Sequence, residues 1–173
     1  VGDRVVTAER VTDDYVITFF ACARAGLAFA ALSPLLAPGE RTGLVARLAP
    51  RLALTSDGSP LPGLPDLRTL PLSMPGRPPA TAVDEALRRS PTGPANEPLL
   101  IRHTPAPTGE RPKLVARSHA QFTWIRGLRP WRSSTDTVYC LALTTTFIAV
   151  EVCRVLARGA TLVIPSEVTP HAL

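Results

Sequence analysis

Between residues 4 and 56, short apolar runs suited to strands alternate with stretches of helical length. The order is "RVVTA" (4–8), "DDYVITFFACARAG" (13–26), "LAFAALS" (27–33), "GERTGLVARLA" (39–49) and "RLALTS" (51–56). Strand, helix, strand, helix, strand with short connections predicts a parallel sheet. Parallel neighbours need a crossover long enough to bring the chain back, and a helix supplies it while covering one face. The local chemistry agrees. Thr12 is placed to N-cap the first helix, and Asp13 and Asp14 stand at the positive end of its dipole. Gly26 falls where a left-handed residue ends it. Pro38 precedes the second helix and Pro50 follows it. The first helix is apolar nearly all round, which predicts cover on more than one side.

Residues 57–79, "DGSPLPGLPDLRTLPLSMPGRPP", hold prolines and glycines too dense for long regular elements, leaving a loop with one short strand at 67–72. "TAVDEALRRS" (81–90) reads as a helix with Asp84 and Glu85 early and Arg88 and Arg89 late, and residues 90–97 form a second Pro/Gly-rich loop. Strands are expected at 99–104 and 113–118, the latter running into a helix near His119, where Ser118 and Gln121 have capping-box spacing. Phe122, Trp124 and Trp131 read as core aromatics of that region, and Asp136 as a turn residue. The alternation then returns with a strand at 137–143, a helix at 147–159 ending on Gly159, and a strand at 160–165. The expected fold is a single, partial α/β domain over 1–173, with a mostly parallel β-sheet flanked by helices.

Composition narrows the function classes. With 173 residues, 45% hydrophobic and 19% charged, the chain has the material for one core and lacks the signature of disorder. A formal charge of +5 invites a nucleic-acid reading, but the arginines are scattered and no aromatics alternate with them, so no nucleic-acid partner is expected. The longest membrane candidate, "YVITFFACARAGLAFAAL", is interrupted by Arg24 and Gly26, and no export signal is visible, so the expectation is a cytoplasmic protein without a membrane partner. Cys22, Cys140 and Cys153 are odd in number and lack metal-ligand spacing, as structural thiols of a reducing compartment would be. The chain starts at Val1 with "VGDRVV", which reads like the interior of a domain, and the expectation is that the natural N-terminus lies upstream.

Chemistry concentrates in "HTPAPTGERPKLVARSH", residues 103–119. There is no Gly-Lys pair for a P-loop and no G-x-G-x-x-G for a dinucleotide fold. What stands between two strands is Thr104, Thr108, Gly109 and then Pro112-Lys113. Hydroxyls and free backbone N–H groups can wrap phosphate oxygens, glycine allows close approach, and a lysine adds a point charge. Lys113 is the one lysine among 19 basic residues.

At this stretch the sequence resembles the adenylate-forming enzymes, the superfamily of acyl-CoA and aryl-acid ligases and nonribosomal adenylation domains. Their phosphate loop commonly reads T-S-G-T-T-G-x-P-K-G-V, and in aryl-acid members such as dihydroxybenzoate-type ligases it continues P-K-L-(I/V)-P-R-(S/T)-H, which "PKLVARSH" (112–119) matches closely. "GDRVVTAERVTDDYVITFFACARAGLAFAALSP" (2–34) is similar to the family's opening block and "LARGATLVIP" (156–165) to a later one. The resemblance implies an N-terminal adenylation-domain fold and an ATP-dependent ligase activity that converts a carboxylic acid to its acyl-adenylate. ATP and Mg²⁺ are the implied cofactors. Thr104, Thr108, Gly109 and Lys113 would hold the nucleotide, Phe147 would stand beside the acid pocket, and carrier-protein or other assembly-line domains would be partners. No catalytic or metal-ligating side chain is assigned.

The departures point elsewhere. Pro105, Ala106 and Pro107 stand where the family has Ser, Gly and Thr, and Glu110 brings a negative charge. Each proline removes an N–H donor and Ala106 restricts φ, so weaker ATP binding is expected. "ALTTTFIAVEV" (142–152) is shorter than the family's pocket block and lacks its His and Asn. The family's Y-G-x-T-E element, ribose-binding Asp and C-terminal lysine are not in these residues, so the chain alone is expected to be impaired or inactive. The alternative reading is a degenerate, non-catalytic scaffold or docking module of a biosynthetic assembly line. An open sheet edge and an uncovered apolar face further predict association with a partner or with itself.

Overall fold

A computed structural model describes residues 2–73, 95–104, 112–122, 134–140 and 148–165. Within them, β1 (Arg4–Thr7), α1 (Asp13–Ala25), β2 (Ala28–Ala31), α2 (Pro38–Leu48) and β3 (Leu52–Thr55) follow in the expected order. After them come β4 (Thr69–Pro71), β5 (Pro98–Thr104), β6 (Lys113–Ser118), β7 (Thr137–Tyr139), α3 (Ile148–Leu156) and β8 (Thr161–Val163). The helix expected over 81–90, Trp124 and Trp131 lie outside the described residues.

Six strands form one sheet in the order β4-β3-β1-β2-β5-β6. All neighbours are parallel except β5 and β6, which form an antiparallel pair. β1 carries adjacent valines to opposite faces, as strand alternation requires. Val5 joins a core with Tyr15, Phe19, Cys22 and Phe29 under α1, to which Phe122 and Val152 of the later segments add. Val6 joins Leu44, Val45 and Leu48 under α2. The sheet is thus a middle layer with a helix on each face. β7 and β8 pair in parallel as a separate two-stranded sheet, so the last alternation does not extend the first sheet among the described residues.

The termini of α1 follow their sequence signals. The Thr12 hydroxyl accepts from the Tyr15 N–H at 3.1 Å, and Gly26 takes φ 69° and ψ 30°, with the cap N–H groups bonded back to Ala23 and Cys22. The helix departs from expectation on its outer side. Tyr15, Phe19 and Cys22 are buried, yet Ile17 is 63% exposed and Phe20 is 39% exposed. Its apolar circumference therefore is covered on one side, and an exposed apolar stripe remains. At the other helix, Ala49 at the C-terminus of α2 adopts φ 44°, and the Arg4 guanidinium donates to its carbonyl at 3.0 Å as well as to Leu48 O. No helix among the described residues is long and apolar enough to cross a membrane.

Candidate functional site

β5 runs parallel to β2, so its end at Thr104 lies at the carboxyl edge of the sheet with Thr7, Ala31 and Thr55. Ligands of open α/β sheets bind at that edge. β5 outruns its neighbour there. The β2–β5 register ends at Ala31 opposite Arg102, while β5 continues through His103 to Thr104. The chain returns as β6, with Thr104 opposite Lys113 and His103 opposite Leu114.

A bulge between Pro98 and Leu100 resets the alternation at the base of the hairpin. Beyond it, Leu100 faces the α1 core and Ile101 faces the α2 core. Continuing the alternation puts His103 and Leu114 towards α2, and Thr104 and Lys113 together on the opposite face. Two predicted phosphate contacts are therefore brought side by side at the mouth of the hairpin, Lys113 exposed and Thr104 partly so. Thr108, Gly109 and Phe147 lie outside the described residues.

Sequence reading missed what surrounds this mouth. His103 is only 7% exposed, and its Nε2 accepts a hydrogen bond from the Ser33 N–H at 3.1 Å. The imidazole is therefore neutral with its proton on Nδ1. Burial holds its pKa below the ordinary histidine value, and the Glu40 carboxylate on α2 works in the opposite direction. The Glu40 side chain also accepts from the Ala37 N–H at 3.3 Å, closing the N-terminus of α2. On the same flank, Arg47 donates to the Pro112 carbonyl at 2.6 Å, tying α2 to the residue before Lys113. A groove of about 630 Å³ follows α2 here, over Gly39, Gly43 and Ala46 to Pro112. A histidine just after the apolar run of "LLIRHT", at a position that alternates onto the same face as Ile101, was the available signal.

At the far end of β6, Ser118 and Gln121 form the expected capping box. The Ser118 N–H donates to Gln121 Oε1 at 2.9 Å, and the Gln121 N–H to Ser118 Oγ at 3.4 Å. Residues 119–122 are helical and Phe122 is buried, both as the sequence suggested.

A hydroxyl and an ammonium set opposite each other at the carboxyl edge suit an anionic ligand. No group of three or more His, Cys, Asp or Glu that could hold a metal occurs among the described residues.

This architecture is that of the N-terminal domain of adenylate-forming enzymes. The chain belongs to the AMP-binding enzyme family, whose model matches residues 1–173. Among solved structures it is similar to VinN, at 20% identity and a TM-score of 0.74 over 94% of this chain and 43% of that one. The Klebsiella oxytoca NpsA N-terminal subdomain in complex with 3-hydroxybenzoyl-AMSN is similar at 19% identity and a TM-score of 0.73, covering 98% and 42%. CmiS6 is similar at 27% identity and a TM-score of 0.71, covering 96% and 40%. The chain thus spans less than half the length of these neighbours. No curated protein matches the sequence.

Proposed function

We propose that the chain supplies the nucleotide-phosphate hairpin of an enzyme that activates a carboxylic acid with ATP. In that reaction a carboxylate oxygen attacks the α-phosphorus, the bond to the β-phosphate's bridging oxygen breaks, and pyrophosphate leaves. The product is an acyl-adenylate, whose acyl carbon is then attacked by a thiol, forming a thioester as the mixed-anhydride bond breaks and AMP leaves. The observation that carries the reading is the placement of Thr104 and Lys113 opposite each other at the sheet's carboxyl edge. Their part is to bind and orient the phosphates: Lys113 offsets negative charge and the Thr104 hydroxyl donates to an oxygen. "PKLVARSH" favours an aryl acid as substrate, and the NpsA N-terminal subdomain, solved in complex with 3-hydroxybenzoyl-AMSN, shares the fold. Carrier-protein or other assembly-line domains are the proposed acceptors, and the cytoplasm the proposed site of action.

A second reading is favoured by Pro105, Ala106 and Pro107: a degenerate module retained as a scaffold. Missing N–H donors would weaken phosphate binding by about 1.5–3 kcal/mol for each lost charged hydrogen bond. Calorimetric titration with Mg·ATP and with an aryl-sulfamoyl-adenosine separates the two. Micromolar binding that weakens at least about tenfold in Lys113→Ala supports the enzyme. A folded chain that gives no heat with either ligand supports the scaffold.

A further inference from the structure

His103 makes none of the phosphate contacts assigned to Thr104 and Lys113, yet it is the residue immediately before Thr104 and is almost fully buried. Its face of β5 is otherwise apolar. Ile101 lies two residues back and Leu114 across the hairpin, both packed with the α2 core. A leucine or phenylalanine would fill that space without a polar atom to satisfy. The imidazole instead leaves Nδ1 buried with no hydrogen-bond partner among the described residues. What it adds is an acceptor for the Ser33 N–H.

That bond falls where the sheet's own pairing stops. Backbone register between β2 and β5 ends at Ala31 and Arg102, so beyond it the ladder no longer fixes β5 against β2. Ser33 is two residues past the end of β2, and His103 is one residue past the last registered residue of β5. We propose that His103 is a positioning residue: by accepting from Ser33 N–H it extends the hold of β2 on β5 past their last backbone register. It thereby fixes where Thr104 and Lys113 stand for nucleotide phosphates. The inference rests on the phosphate-binding reading of the hairpin.

The bond needs a lone pair on Nε2, so it exists only for the neutral ring. From α2, Glu40 is the carboxylate that acts on the imidazole, while the neighbouring Arg41 directs its guanidinium to the Pro34 and Leu36 carbonyls. From β6, Leu114 is uncharged. Protonation therefore removes the acceptor and places a second donor against the Ser33 N–H.

The test uses the full chain, His103→Phe, which removes the acceptor, and His103→Gln, whose Oε1 can replace it, each checked for folding by circular dichroism. At pH 7.5, His103→Phe is expected to bind Mg·ATP about tenfold more weakly than wild type, with His103→Gln recovering most of the loss. Between pH 7.5 and 5.5 wild type should lose more affinity than His103→Gln. Equal affinities for wild type and His103→Phe, or equal pH profiles for wild type and His103→Gln, overturn the proposal. If His103→Phe does not fold, the pH comparison decides. If wild type gives no heat with Mg·ATP, the phosphate-binding reading fails, and amide hydrogen exchange judges the positioning. Protection of the Ser33, Thr104 and Lys113 amides that falls in His103→Phe and returns in His103→Gln sustains the hold on the hairpin. Unchanged protection refutes it.

Discussion

Phe29 is the residue on which the α1 core converges. It is fully buried, with Tyr15 edge-on at 5.1 Å between ring centroids and Phe19 at 5.8 Å. Phe29→Ala should lower the unfolding free energy by about 3–5 kcal/mol through lost transfer energy and the cavity left behind. A urea melt reads this directly, and a loss below about 1 kcal/mol would show that the site collapses around the gap. His103 carries a pH prediction. Burial lowers its folded pKa below 6.5, so between 6.5 and that folded value the unfolded chain binds a proton that the folded chain does not. Stability is therefore complete above pH 6.5 and is lost as pH falls towards the folded value. The urea midpoint of wild type should drop more from pH 8 to 5.5 than that of His103→Gln, and parallel drops would exclude the histidine as the cause. Burial pushes the Cys22 thiol up to about 12 and that of the less fully covered Cys153 up to about 11.

At the scale of elements, helix ends are where local sequence decided most. Thr12 starts α1 by side-chain capping and Gly26 ends it by a left-handed backbone, and both act within four residues. Thr12→Ala should cost about 1 kcal/mol, and Gly26→Ala a comparable amount because φ 69° strains a residue with a Cβ. Circular dichroism during denaturation would measure both, and an unshifted midpoint would contradict the caps. The end of α2 was not legible in this way. Pro50 signalled that it stops, but the groups that satisfy Leu48 and Ala49 come from Arg4, more than forty residues earlier. Likewise the phosphate-loop spacing placed Thr104 and Lys113 near each other in sequence, whereas their pairing depends on the register of β5 and β6.

For the whole molecule, the layered fold with helices on both faces of the sheet, as the described residues have it, follows from alternating apolar segments and the burial each face demands. The exposed stripe of Ile17 and Phe20 on α1 does not, since a helix that is apolar nearly all round carries no mark of which side the sheet will take. Cys22 packs beneath α1 in the core, so its alkylation should require opening of that core. Modification of Cys22 by a thiol reagent is expected to speed up in step with global unfolding in urea. Rapid modification under native conditions would show that α1 opens by itself.

By itself the sequence determined what is local or periodic: the alternation of strands and helices, the caps of α1, the capping box at Ser118, and the family through "PKLVARSH". Those signals rest on dihedral preferences and on hydrogen bonds that close within a few residues. Tertiary structure alone decided which face of α1 stays exposed, that Arg4 caps α2, and that Ser33 meets His103 where the backbone ladder ends. These contacts join residues 45 to 70 positions apart, and no propensity of one segment encodes its partner's place across the sheet.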